Sequence, residues 1–168
     1  TVGGREAYVE RTIRSCKSVK DSLVVLAGPE DVIQKTPGAE LCDLLMFDLE
    51  EFSLESKIRI AFHRMAQLTE IVMWVGDDDF VYPENVDFGV EVMDSDSEIS
   101  LVYGDCVYVN ATGSTLFVSR PGRIAQHLLG FLPQTIPQPS CLFRLPHVIR
   151  SQAMYSGLQL AFDLDLLL

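Results

Sequence analysis

Apolar positions along this 168-residue chain recur with two different periods, and the switches between them mark its elements. In "REAYVERTIRSC" (Arg5–Cys16), Val9, Ile13 and Cys16 fall on one face at helical spacing. "SLVVLAG" (Ser22–Gly28) is a short β-branched run stopped by Gly28-Pro29, which predicts a buried strand. A short helix over Asp31–Lys35 and a turn at Thr36–Gly38 lead to a second strand in "LCDLLMF" (Leu41–Phe47). In "SLESKIRIAFHRMAQL" (Ser53–Leu68), Ser53 offers a helix cap, and Ile58, Ala61, Phe62 and Met65 form the apolar stripe. "EIVMWV" (Glu70–Val75) shows no polar alternation, the pattern of a parallel strand covered on both faces. Pro83 suits the first turn of the next helix, whose buried side carries Val86, Val90 and Met93.

Farther on, "ISLVYGDCVYV" (Ile99–Val109) reads as two strand pieces interrupted by Gly104-Asp105. Asn110–Gly113 is a turn, and "STLFVS" (Ser114–Ser119) can return as an antiparallel strand. Gly122–Leu132 reads as a helix, and Pro133–Arg144, with three prolines in "PQTIPQP", as largely extended chain. Strands alternating with helices, followed by a mixed tail, indicate a single α/β domain over residues 1–168.

Charge narrows the partners. Twenty-four acidic against 13 basic side chains give a formal net charge of −11, which opposes a general attraction to nucleic acid or anionic lipid. A phosphate-bearing ligand stays compatible, because a bound divalent cation reverses the local field. The four cysteines, Cys16, Cys42, Cys106 and Cys141, form no Cys-x-x-Cys or Cys/His cluster and read as buried free thiols in a reducing compartment. No apolar run approaches the roughly 20 residues of a membrane span.

Against this background "EIVMWVGDDDFVYPENV" (Glu70–Val86) stands out, because three aspartates follow a buried strand directly. Beyond the carboxyl end of a parallel strand, Asp77, Asp78 and Asp79 would lie where open α/β sheets bind ligands. Adjacent carboxylates raise each other's pKa unless a cation intervenes, and Mg²⁺ or Mn²⁺ is commonly held by one or two carboxylates plus substrate phosphates. The plainer reading is a solvated acidic turn. A second acidic feature, "AFDLDLLL", sets Asp163 and Asp165 among apolar residues, where partial desolvation could tune a general base. The plainer reading there is an amphipathic helix exposing both, since a spacing of two puts them on different helical faces.

In order and distance, "AYVERTIRSC", "SLVVLAG", "WVGDDDFVYPENVDFGVEVM", "ISLVYGDCVYVNATG", "PQPSCLFR" and "LAFDLDLLL" together resemble the family 2 glycosyltransferases. The resemblance implies the GT-A fold, a nucleotide-binding sandwich with a mostly parallel central sheet flanked by helices. It implies an inverting transfer of a sugar from a nucleotide-diphosphate donor to a saccharide or lipid-linked acceptor. Asp78 and Asp79 match the carboxylates that face cation and diphosphate, while Asp77 falls at the variable position of that motif. Asp163 matches the catalytic base, with Asp165 as the fallback. Gln138, Pro139 and Ser140 match the acceptor side, and Asp105 a contact to the donor sugar. The family's activity would place the chain in the cytoplasm or at the inner face of a membrane.

The chain also departs from that pattern. It begins inside the turn that normally follows the family's first strand and stops just inside the catalytic helix, so it reads as a segment incomplete at both ends. The second strand usually ends in an acidic pair that reads the base, and here Ala27-Gly28-Pro29-Glu30-Asp31 leaves only Glu30 or Asp31 for that task. Gly76 replaces the usual first Asp or Asn of the acidic turn. These departures support a competing reading, a related domain that binds ligand without catalysis. A metal-dependent phosphotransferase is disfavoured, because no nucleophilic aspartate follows the first strand.

Overall fold

A computed structural model describes residues 6–47, 53–128 and 135–152. Helix α1 (Glu6–Lys17) precedes strand β1 (Val25–Ala27), the short helix α2 (Glu30–Ile33) and strand β2 (Leu44–Met46). Helix α3 (Leu54–Met65) begins at Ser53, whose hydroxyl accepts the Ser56 N–H at 3.3 Å, the cap its position predicts. Strand β3 (Ile71–Met73) leads to helix α4 (Pro83–Ser95), which has Pro83 in its first turn. Strands β4 (Leu101–Tyr103), β5 (Cys106–Val109) and β6 (Thr115–Ser119) follow, then helix α5 (Ala125–Leu128). A 3₁₀ turn at Gln138–Ser140 feeds strand β7 (Cys141–Arg144) and helix α6 (Leu145–Ser151). The helix expected over Gly122–Leu132 begins only at Ala125, after a turn at residues 122–124; its residues 129–132 lie outside the described residues, as does the C-terminal "AFDLDLLL".

The mostly parallel central sheet is not what these strands form. The three-stranded sheet runs in the order β3-β7-β4, and β7 is antiparallel to both neighbours. β5 and β6 make a separate antiparallel hairpin, and only β1 and β2 pair in parallel. The reason lies in what an apolar run encodes. Continuous hydrophobicity reports that both faces of a strand are covered, and helices on either side satisfy that whatever the neighbour's direction.

Both faces are indeed covered, and β7 shows how. Cys141 and Phe143 project into a core with Ile58, Phe62 and Met65 of α3, the Phe62 and Phe143 rings lying 6.4 Å apart. Leu142 and Arg144 project to the other side, toward α4. Gly89 of α4 lets the helix approach, since a Cβ there would come within 2.5 Å of Leu142 Cδ1. Arg144 is only 6% exposed. Its guanidinium donates to Ile99 O at 2.9 Å, Met93 O at 2.5 Å and Asp96 O at 3.3 Å, and pairs with Glu70 at 3.5 Å. Met93 and Asp96 end α4, so the cation also meets the negative end of the helix dipole.

Among the described residues, no helix is long and apolar enough to cross a membrane.

Replacing Arg144 by Leu keeps much of the bulk but removes the donor to Met93 O in the interior and to the part-buried Ile99 and Asp96 carbonyls. Unfolding in urea is expected to show a loss of about 3–5 kcal/mol, with Arg144→Lys recovering part of it.

Candidate functional site

The acidic triplet follows the end of β3 as a tight turn, closed where the Asp79 N–H donates to Gly76 O at 3.3 Å. A Cβ on Gly76 would stand 2.8 Å from Asp79 Oδ2 and 3.5 Å from Asp78 Oδ1. Both carboxylates therefore reach back over the same backbone carbon, and glycine is the residue that leaves them room. Asp78 is exposed, while Asp77 and Asp79 are half-buried. Burial first, then the charge of Asp78, pushes the Asp79 carboxyl above its usual range; a backbone hydrogen bond from Gly76 opposes this, and Asp77 adds to it.

Helix α1 holds this turn from beneath. The Thr12 hydroxyl lies against Asp79 O in a short hydrogen bond and 3.3 Å from Asp77 O. Ser15 Oγ accepts the Val81 N–H at 3.2 Å, and the Arg11 guanidinium sits 4.0 Å above the Phe80 ring. The apolar period of α1 points to Val9, Ile13 and Cys16, and gives no signal for this second, polar face. A Thr and a Ser at a spacing of three are common on exposed helix surfaces, so only the fold identifies their partners.

Two other predicted groups gather at the same end of the three-stranded sheet. Gln138 donates from Nε2 to Trp74 O at 2.6 Å, and the Gly104 N–H donates to Ser140 O at 3.2 Å. The Gln138–Ser140 turn therefore links the end of β3 to the end of β4. Its polar side chains are engaged within the protein: the Gln138 amide binds Trp74 O across to β3, and the Ser140 hydroxyl donates locally to Pro137 O at 2.7 Å. Pro139 is half-buried between them. Trp74 itself packs against the core, as its place in an apolar run predicts.

Asp105 begins the corner into β5 and is exposed, 3.4 Å from Arg120, which follows β6 at the same open end of the hairpin. Immediately after it, Cys106 and Tyr108 stand beside the acidic turn. Burial and then the Asp79 charge raise the Cys106 thiol, and burial, Cys106 and Asp79 in turn raise the Tyr108 hydroxyl. Tyr108 stacks on Phe117 across the hairpin, ring centroids 4.3 Å apart. Neither residue carries a motif that would single it out in the sequence.

The other predicted residues stand apart from this gathering. Glu30 and Asp31 are exposed in the first turn of α2, beyond the end of the separate β1–β2 pair, and Glu30 Oε1 accepts a hydrogen bond from Gln34 at 2.9 Å. Asp163 and Asp165 lie outside the described residues.

Among the described residues, no group of three or more His, Cys, Asp or Glu side chains is arranged to hold a metal ion. Two carboxylates converging over Gly76 are nevertheless the hard-oxygen donor set that Mg²⁺ or Mn²⁺ takes when phosphates complete its shell.

The raised pKa of Asp79 fixes a pH dependence. Between the ordinary value of 3.8 and its higher folded value, the folded chain keeps a proton that the unfolded chain has released, so stability falls as pH rises through that window. Asp79→Asn is therefore expected to melt higher than the parent chain at neutral pH. The two melting temperatures should converge below pH 3.8, a comparison that thermal unfolding across the pH range checks. The sequence matches no protein-family model, and no curated protein is significantly similar to it.

Proposed function

We propose that this chain transfers a sugar from a nucleotide-diphosphate donor to an acceptor hydroxyl, with inversion at the anomeric carbon. The observation that carries this reading is the convergence at one end of the β3-β7-β4 sheet. There the Gly76–Asp79 turn, the Gly104-Asp105 corner and the Gln138–Ser140 turn meet, although the sequence separates them widely. Asp78 and Asp79 would hold a divalent cation, Mg²⁺ or Mn²⁺, which when bound neutralises charge on the departing diphosphate.

The rest of the chemistry belongs to side chains. The acceptor oxygen attacks the anomeric carbon from the face opposite the diphosphate; one carbon–oxygen bond forms as the other breaks. Asp163, with Asp165 as the second choice, takes the acceptor proton. Gln138, Pro139 and Ser140 stand on the acceptor side, and Asp105 is assigned to the donor sugar. Glu30 and Asp31 are the candidates for reading the base. A saccharide or lipid-linked acceptor fits this chemistry, in the cytoplasm or at the inner face of a membrane.

A second reading, a domain that binds a nucleotide sugar without turning it over, draws support from the engagement of these groups within the protein. Gln138 is committed to Trp74 O, and Asp105 is paired with Arg120.

Calorimetric titration with UDP, GDP and dTDP, each with and without Mn²⁺, tests donor binding. At least one nucleotide is expected to bind about tenfold or more tightly with the cation, and indifference to Mn²⁺ in all three would sink the catalytic reading. With the donor so identified, Asp163→Asn is expected to cut turnover by about 10²–10⁴-fold while leaving nucleotide affinity nearly unchanged. Normal binding with no turnover in the parent chain would select the second reading.

A further inference from the structure

The polar face of α1 assigns that helix a role beyond packing. Tyr8, Arg11, Thr12 and Ser15 follow the spacing i, i+3, i+4, i+7, so they form one stripe beside the apolar one. Each member is tied to the acidic turn or to the hairpin next to it. Tyr8 donates to Ala111 O in the hairpin loop at 3.4 Å, Arg11 covers Phe80, Thr12 meets Asp79 O and Asp77 O, and Ser15 accepts from Val81 N.

Thr12 is the centre of this stripe. It is 7% exposed, and its single hydroxyl proton faces three carbonyls: Asp77 O, Asp79 O and Tyr8 O at 3.1 Å in its own helix. A Thr with no other task would satisfy its hydroxyl within the helix alone. Here two of the three carbonyls, Asp77 O and Asp79 O, belong to a turn far away in sequence. Ser15 completes the grip by donating to Thr12 O at 2.8 Å while accepting the Val81 N–H. The backbone on both sides of Phe80 is thereby fixed to one rigid helix.

We infer that Thr12 and Ser15 are positioning residues, which hold the acidic turn so that the Asp78 and Asp79 carboxylates stay converged on one cation. The inference rests on the cation-binding reading of that turn. It adds that affinity is set by two hydroxyls on a helix that supplies no ligand of its own.

Thr12→Val preserves shape and removes the donor, Thr12→Ser keeps the hydroxyl, and Ser15→Ala releases Val81 N. With Mn²⁺ alone as the probe, calorimetry and the fluorescence of Trp74, the single tryptophan, report binding next to the turn. Thr12→Val is expected to weaken Mn²⁺ binding about tenfold, with Thr12→Ser within about twofold of the parent. Amide hydrogen exchange over residues 76–82 should accelerate in Thr12→Val and Ser15→Ala while α3 and β7 keep their protection. Equal Mn²⁺ affinity in Thr12→Val and the parent overturns the role. If the parent binds no Mn²⁺, that failure belongs to the reading of the site, and exchange alone decides the positioning. Selective opening of the turn then supports it, and unchanged protection overturns it.

Discussion

The buried guanidinium of Arg144 is the interaction on which the remaining architecture depends. A single planar group satisfies carbonyls at the end of α4 and at the approach to β4, and reaches Glu70 at the approach to β3. A buried cation without such partners would be strongly destabilising, so the position of β7 between its neighbours is tied to that of α4. Backbone bonds reinforce this: the Arg144 N–H reaches Ser100 O at 2.9 Å, and the Leu145 N–H reaches Glu70 O at 2.8 Å. Once β7 is fixed at this end, its other end has little freedom. The Gln138–Ser140 turn is delivered to the carboxyl ends of β3 and β4.

The candidate site is thus built from two kinds of constraint at opposite ends of a short sheet. At the far end, charge and hydrogen bonds locked in the interior set the strand order. At the near end, carboxylates are held together in a half-buried turn, where burial first and then the charge of Asp78 raise the pKa of Asp79. Holding such a turn requires its backbone to be restrained from outside, and α1 supplies that restraint through Thr12 and Ser15. The neighbouring hairpin adds an exposed aromatic pair, Tyr108 and Phe117, on the flank of the turn.

Helices were the most legible part of the sequence, because apolar spacing alone locates their buried stripes. Ile58, Phe62 and Met65 face the core as their period predicts, and Ser53 and Pro83 begin their helices where capping chemistry places them. The hairpin too is readable from its turn: Asn110 accepts the Thr112 and Ser114 N–H groups at 3.0 and 2.9 Å, and Gly113 adopts a φ of +83°. Strand direction was not readable, since hydrophobicity measures coverage and carries no sense of orientation. Nor was Arg144: a charged residue closing a proline-rich segment reads as surface until its carbonyl partners, some of them about fifty residues earlier, are in place. The acidic turn could be located from its pattern, but its support on α1 depends on contacts between residues more than sixty positions apart.

Gly76 carries a consequence for how this region can change over evolutionary time. Because its missing side chain is the space that the Asp79 carboxylate occupies, the two positions form one steric unit. A side chain acquired at 76 requires the Asp79 carboxylate to swing aside, so the rotamer open to Asp79 depends on what stands at 76. Substitutions at the two positions are therefore expected to be epistatic and to appear together, with Asp78 under weaker pressure because its carboxylate stands farther from that point.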